Sequence, residues 1–242
     1  MIRSSTQLKD KVKNYSIGDS WKAQSLIRNF MMERFLERCS RSIYHDIFVL
    51  KGGMLVASMI GIKKRATMDI DATVQNYPLT LVKAKKMVEE IISIPLADQV
   101  VFTVQSVAEI MEEHDYPGIR FVLVAHMDKL RQPIKVDIST GDIITPKAVT
   151  YEYPLLFENR SIHILSYSLE TVLAEKLETI ISRGVANTRM RDFYDIVVLM
   201  TTQENRIEKL TLQEAYRRTA ENRRDTVKYI EGLEILRTVR EN

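Results

Sequence analysis

The spacing of hydrophobic positions changes several times along the chain, and each change marks an element. Residues 6–14 are polar and lysine-rich and read as a short helix or arm. Residues 20–38 place Ile27, Phe30, Met31 and Phe35 at helical spacing behind Ser20, a candidate N-cap, and predict an amphipathic helix. Ile47-Phe48-Val49-Leu50 is a short β-rich run that stops at Gly52-Gly53, and Met54 to Ile60 continues as a helix. Met68 to Val74 alternates as a strand, 79–93 is helical, and 100–105, 119–125 and 133–139 are strand-like. Beyond about residue 165 the β signals fade, and 168–183, 188–201 and 211–240 carry helical periodicity. The pattern predicts an α+β protein. Residues 1–165 form a mixed sheet with flanking and N-terminal helices, and 166–242 a helical C-terminal region that completes the site.

Composition narrows the setting. A chain of 242 residues with 45% apolar side chains has ample material for a core, and 28% charged residues fit a globular protein rather than a disordered one. Cys39 is the only cysteine, which rules out an intrachain disulfide and a thiolate zinc site and fits a reducing, cytoplasmic compartment. His45, His114, His126 and His163 are scattered without metal-ligand spacing. The first twenty residues lack the apolar core of a signal peptide, and no stretch reaches the roughly 18 apolar residues of a membrane span, so no membrane association is expected. A net charge of +3 permits contact with nucleic acid without demanding it.

The chemistry concentrates in Thr67-Met68-Asp69-Ile70-Asp71-Ala72. Residues i and i+2 of a strand face the same side, so Asp69 and Asp71 project together while Met68, Ile70 and Ala72 turn inward. Two neighbouring carboxylates repel, and a hard cation such as Mg²⁺ offsets the cost. In Pro133 to Ser139, Ile134, Val136 and Ile138 share one face and Lys135, Asp137 and Ser139 the other. If that strand lies beside the first, Asp137 becomes a third carboxylate for a pair of metal ions, the arrangement used in two-metal phosphoryl transfer. A surface strand with its solvated face outward produces the same D-x-D pattern.

Leu50-Lys51-Gly52-Gly53-Met54 ends a strand and opens a helix. Glycines let backbone approach a ligand, and a helix N-terminus offers free N–H groups to phosphate, with Lys51 as a nearby cation. In the second half, Lys176 falls in the middle of the apolar stripe formed by Leu169, Val172, Leu173, Leu177, Ile180 and Ile181. It needs a partner, unless the side chain snorkels to the rim. On the following helix Asp192 and Asp195 share a face, and Met190, Phe193, Ile196, Val197 and Met200 form what reads as a buried stripe. Arg189 and Arg191 stand at the helix start, where they serve an external anion or pair with those aspartates.

Four segments in order, Phe48 to Met54, Arg65 to Asp71, Glu170 to Lys176 and Arg189 to Asp195, resemble the AbiEii/AbiGii toxin family of DNA polymerase β-type nucleotidyltransferases over roughly residues 20–225. The resemblance implies a polymerase β-like nucleotidyltransferase core. It assigns catalysis to Asp69, Asp71, Asp137, Lys176 and Asp192, with the first three as metal ligands for two Mg²⁺ ions. It assigns nucleotide binding to Lys51, Gly52, Gly53, Arg65, Thr67, Arg191 and Asp195. Arg191-Asp192 stands where the family usually has Lys-Asp, and Met54 stands where Ser or Thr commonly follows the glycines. The implied activity is pyrophosphate-releasing transfer of NMP from an NTP to an RNA acceptor, tRNA above all. The implied setting is a toxin–antitoxin or abortive-infection system with a separately encoded antitoxin. Transfer to a small molecule or a protein hydroxyl, and a non-catalytic binding module with the same fold, are the alternatives.

Overall fold

The computed structural model describes residues 1–61, 65–111, 117–184 and 188–223. His114 and the predicted helix beyond residue 223 lie outside them. Two helices come first, α1 (Ser5–Ser16) and α2 (Ser20–Cys39). Strands β1 (Phe48–Lys51) and β2 (Asp69–Val74) flank α3 (Gly52–Ile60). Helix α4 (Leu81–Ile92) leads to three long strands, β3 (Val101–Met111), β4 (Pro117–Met127) and β5 (Leu130–Thr140). Then follow β6 (Val149–Pro154), β7 (Ser161–Ser166), α5 (Leu169–Arg183), α6 (Met190–Thr202) and α7 (Lys209–Asn222).

The seven strands form one sheet in the order β3-β4-β5-β2-β1-β7-β6. It is mixed: β1 runs antiparallel to β2 and parallel to β7, β2 runs parallel to β5, and the β3-β4-β5 meander is antiparallel. Strands β6 and β7 were not anticipated from the sequence, although Ile162, Ile164 and Ser166 of β7 alternate inward as a half-buried strand requires.

Helix α2 departs from the predicted amphipathic pattern. Asp19, not Ser20, is its N-cap, with the carboxylate accepting from the Lys22 N–H at 3.0 Å. From Leu26 onward it is buried nearly all round, so Glu33, Arg34, Glu37 and Arg38 are inside with Phe30, Met31, Phe35 and Leu36. Buried charge must be paired. Arg38 holds Asp98 side-on at 2.8 and 3.0 Å, Arg34 meets Glu37 at 3.0 Å, and Arg160 reaches Glu37 at 2.8 Å.

Two compact units result, Met1–Asp142 with Thr150–Ser166, and Ile143–Val149 with the chain from Tyr167 onward. The crossover segment Ile143–Val149 joins the second unit, where the Ser168 hydroxyl donates to the Thr145 carbonyl at 2.6 Å and caps α5 by accepting from the Thr171 N–H at 3.1 Å. In that unit Ala174, Ala215 and Tyr216 form a small core, with Leu177 and Ile181 packed against it. No described helix is long and apolar enough to cross a membrane.

Helix α6 corrects one expectation. Its apolar stripe is not buried: Met190 is 67%, Phe193 42% and Val197 64% exposed, and only Asp195 and Leu199 are inside. Periodicity shows that a helix has an apolar side, not that its own chain covers it.

Candidate active site

Strand β1 ends at Lys51, and the next residue begins α3 with no linker between them. The chain turns because Gly52 adopts φ 67°, a conformation L side chains rarely take. Lys51, at the N-cap, makes no side-chain cap hydrogen bond.

The turn packs directly on β2. A Cβ added to Gly52 would lie 2.1 Å from Asp71 Oδ2. The Gly53 N–H faces the same oxygen at 3.4 Å. A Cβ on Gly53 would instead meet Arg65 Nη1 at 2.8 Å and Thr67 Oγ1 at 2.9 Å. Thr67 Oγ1 donates to the Asp69 carbonyl at 3.2 Å and Arg65 Nη1 to the Ala66 carbonyl at 2.8 Å. The glycine turn, Arg65, Thr67 and the carboxylate pair therefore share one corner of the sheet. Met54 is fully buried in the core.

Strand pairing extends this corner into a charged row. Lys51 lies opposite Asp71, Asp71 opposite Asp137, and Arg120 opposite Asp137, while Asp69 faces Lys135 in register. The parity argument for Asp137 thus acquires its missing half, adjacency of β5 to β2. Burial, then the charge of Asp69, then Asp137 push the Asp71 carboxyl up to about 7, against the pull of Lys51 and the Gly53 N–H.

Three members of the row are already engaged. Lys51 Nζ sits 2.7 Å from Asp142 Oδ2, and the Ser139 hydroxyl donates to the same oxygen at 3.1 Å. Arg120 donates from Nε and Nη2 to the two oxygens of Asp137 at 2.8 and 2.6 Å. Neither Arg120 nor Asp142 was singled out from the sequence. Arg120 left a trace there, as the only charged residue in the apolar run Ile119 to Ala125.

The donor set can be tested against the implied cation. Among the described residues no group of three or more His, Cys, Asp or Glu side chains is arranged to hold a metal ion. Asp69 and Asp71 nevertheless fit a hard divalent cation, being oxygen donors on one face of β2, where burial first and the charge of Asp69 next raise the Asp71 pKa, packed against the backbone of Gly52. Asp137 is turned to Arg120.

Lys176, Asp192, Asp195 and Arg191 belong to the second unit. Lys176 finds the partner its position demanded: Nζ lies 2.7 Å from Asp192 Oδ1 and 2.8 Å from Asp195 Oδ2, with Asp195 fully buried. Arg189 forms the N-cap of α6, and Arg191 is exposed one residue into the helix.

Comparison with known proteins identifies the family and the fold. Residues 34–241 match the family model described as nucleotidyl transferase AbiEii toxin, type IV toxin–antitoxin system. No curated protein is significantly similar in sequence. The fold is similar to that of JHP933 from Helicobacter pylori, at TM-score 0.50 and 17% identity, covering 88% of this chain and 81% of that one. It is also similar to a candidate nucleotidyltransferase from Helicobacter pylori, at TM-score 0.51 and 16% identity, covering 86% and 82% of the two chains. The chain is a nucleotidyltransferase that belongs to the AbiEii toxin family of type IV toxin–antitoxin systems.

Proposed function

We propose that the protein transfers NMP from an NTP to a hydroxyl of RNA, with tRNA as the acceptor, in the cytoplasm and under control of a separately encoded antitoxin. The observation that carries this reading is Asp71 pressed against Gly52 at the start of α3, with Asp69 beside it. That places acidic oxygen donors next to backbone N–H groups suited to a triphosphate.

In the reaction the acceptor oxygen attacks the α-phosphorus, the bond from that phosphorus to the bridging oxygen breaks, and pyrophosphate leaves. Asp69 and Asp71 would hold Mg²⁺. When bound, the cation offsets charge on the leaving pyrophosphate and lowers the pKa of the attacking hydroxyl. The backbone at Gly52 and Gly53, at the N-terminus of α3, orients the triphosphate, with Arg65 and Thr67 beside it. Lys51, held by Asp142, stands at the same turn. Lys176 holds Asp192 and Asp195 in place on α6.

RNA is favoured over a small acceptor by the exposed side chains of α6. Arg191 is exposed one turn from Tyr194, which is 44% exposed, and Phe193, on another side of the helix, is 42% exposed. Arginine and accessible aromatic rings are the side chains on which single-stranded bases stack.

The test is incubation with each labelled NTP, Mg²⁺ and total cellular RNA, followed by identification of the labelled species. Asp69→Ala and Asp71→Asn should abolish labelling, and Phe193→Ala with Tyr194→Ala should weaken it on RNA. Labelling that persists in Asp69→Ala refutes the site. Activity that does not fall with rising salt refutes an RNA acceptor.

A further inference from the structure

The charged row across β1, β2, β5 and β4 contains one contact that a site for two cations does not call for. Asp137, the third carboxylate, is 8% exposed, and both of its oxygens accept from one guanidinium. The contact is fixed by the sheet. Register puts Arg120 directly opposite Asp137 on β4, and Asp137 directly opposite Asp71 on β5. Cross-strand neighbours stand about 5 Å apart at Cβ, so an arginine there reaches the carboxylate side-on without leaving the strand. Arginine stays charged at any relevant pH, and its planar fork matches a carboxylate in a way a point charge does not.

Charge balance points the same way. Asp69, Asp71, Asp137 and Asp142 supply four carboxylates at this end of the sheet. Lys51 answers Asp142 at 2.7 Å and Arg120 answers Asp137 at 2.6 Å. Neither of these two ion pairs involves Asp69 or Asp71, the carboxylates that remain to hold a divalent cation. Lys135, opposite Asp69 in register, is exposed and screened by solvent.

We propose that Arg120 takes the place of a second cation at Asp137, so that the protein holds one divalent ion, on Asp69 and Asp71, with Asp137 outside the ligand set. Arg120 is then a positioning residue. This rests on the reading of Asp69 and Asp71 as cation ligands.

The experiment counts Mn²⁺ bound to the full-length protein by electron paramagnetic resonance, with a non-hydrolysable α,β-methylene NTP analogue present. Wild type should bind one Mn²⁺, and Arg120→Gln should bind a second that is lost again in Arg120→Gln/Asp137→Asn. Asp137→Asn alone should leave Mn²⁺ affinity within about threefold of wild type, against the 10–100-fold typical of losing a group that supports a metal. That variant keeps the test decisive if Arg120→Gln does not fold. Two ions in wild type, one ion in folded Arg120→Gln, or a tenfold or greater affinity loss in Asp137→Asn overturns the proposal while leaving Asp69 and Asp71 as ligands. A Mn²⁺ count unchanged by Asp69→Ala and Asp71→Ala instead refutes the underlying site, and the proposal with it.

Discussion

Gly52 is where backbone conformation, close packing and the candidate chemistry meet, and three alanine substitutions separate them. Gly18 has φ 82° and open space where a Cβ would go, so Gly18→Ala tests backbone strain alone. A left-handed conformation costs an L residue about 1–2 kcal/mol, and the variant should lose about that much stability. Gly53 has an ordinary φ, and an added Cβ would meet the ends of Arg65 and Thr67 at 2.8 and 2.9 Å. The end of Arg65 can shift and the backbone at Gly53 is unstrained, so Gly53→Ala should cost less in stability than Gly52→Ala. Gly52→Ala carries both burdens: φ 67° and a Cβ 2.1 Å from Asp71 Oδ2 and 2.7 Å from its Cβ and Cγ. Ordinary contact begins at 3.4 Å, and Asp71 is anchored in β2, so the carboxylate must retreat by more than about 1 Å, a misplacement that costs a catalytic group on the order of a hundredfold in rate. Urea unfolding of the three variants, with NTP-transfer assays on the same preparations, should rank Gly52→Ala last in both. Transfer by Gly52→Ala within about twofold of Gly18→Ala would show that the close approach of turn and carboxylate does not shape the site.

Three further outcomes follow from buried charge. Burial pushes the Glu33 carboxyl up to about 8, although Arg34, the Leu156 N–H and Asn29 favour its ionised form. The raised value means that the neutral acid suits the fold, so this contribution is full below about pH 4.5 and is lost as pH rises through about 8, at up to about 1.4 kcal/mol per pH unit. Glu33→Gln should therefore gain on wild type steadily across that window in urea midpoints, and parallel curves would refute the assignment. The carboxyl of Asp71, held at about 7, must lose its proton to bind a cation, so Mn²⁺ affinity should rise with pH up to about 7 and then level; affinity that is flat from pH 5.5 to 8 would contradict it. Lys176→Met removes the cation 2.8 Å from fully buried Asp195 and should cost about 3–5 kcal/mol, part of it recovered by Asp195→Asn, whereas a loss under about 1 kcal/mol would mean the pair is screened by solvent.

What could be read from sequence depended on how far apart the interacting residues lie. The i, i+2 relation between Asp69 and Asp71 is local, and strand parity was enough to place both on one face. The need of Lys176 for a partner was also local, since it followed from a helical stripe, and the partner lay only 16 and 19 residues ahead at Asp192 and Asp195. The buried charges of α2 were not legible. Glu37 is satisfied by Arg160, 123 residues away, and Arg38 by Asp98, 60 residues away, so the Arg34–Glu37 pair within the helix is only part of why it can be buried all round.

The same distinction explains Asp137 and its unexpected companion. Parity could say that Asp137 shares a face with Lys135 and Ser139, but not which strand lies beside it or in what register. Those are set by the crossover from β2 to β5, which makes the pair parallel, and by the β4-β5 hairpin, which turns at Asp128-Lys129 between Met127 and Leu130. A one-residue slip in that hairpin would send Arg120 to the opposite face and leave Asp137 facing Asp71 without its guanidinium. The hairpin therefore governs which charges stand beside Asp71. Asp128 takes φ 52° there, and its carboxylate accepts from the Ser5 N–H at 2.8 Å, which ties the turn to the start of α1. The first helix of the chain helps to hold the turn that fixes the register of the catalytic sheet, so a long-range tie, and not the carboxylate motif alone, decides which charges meet at Asp71.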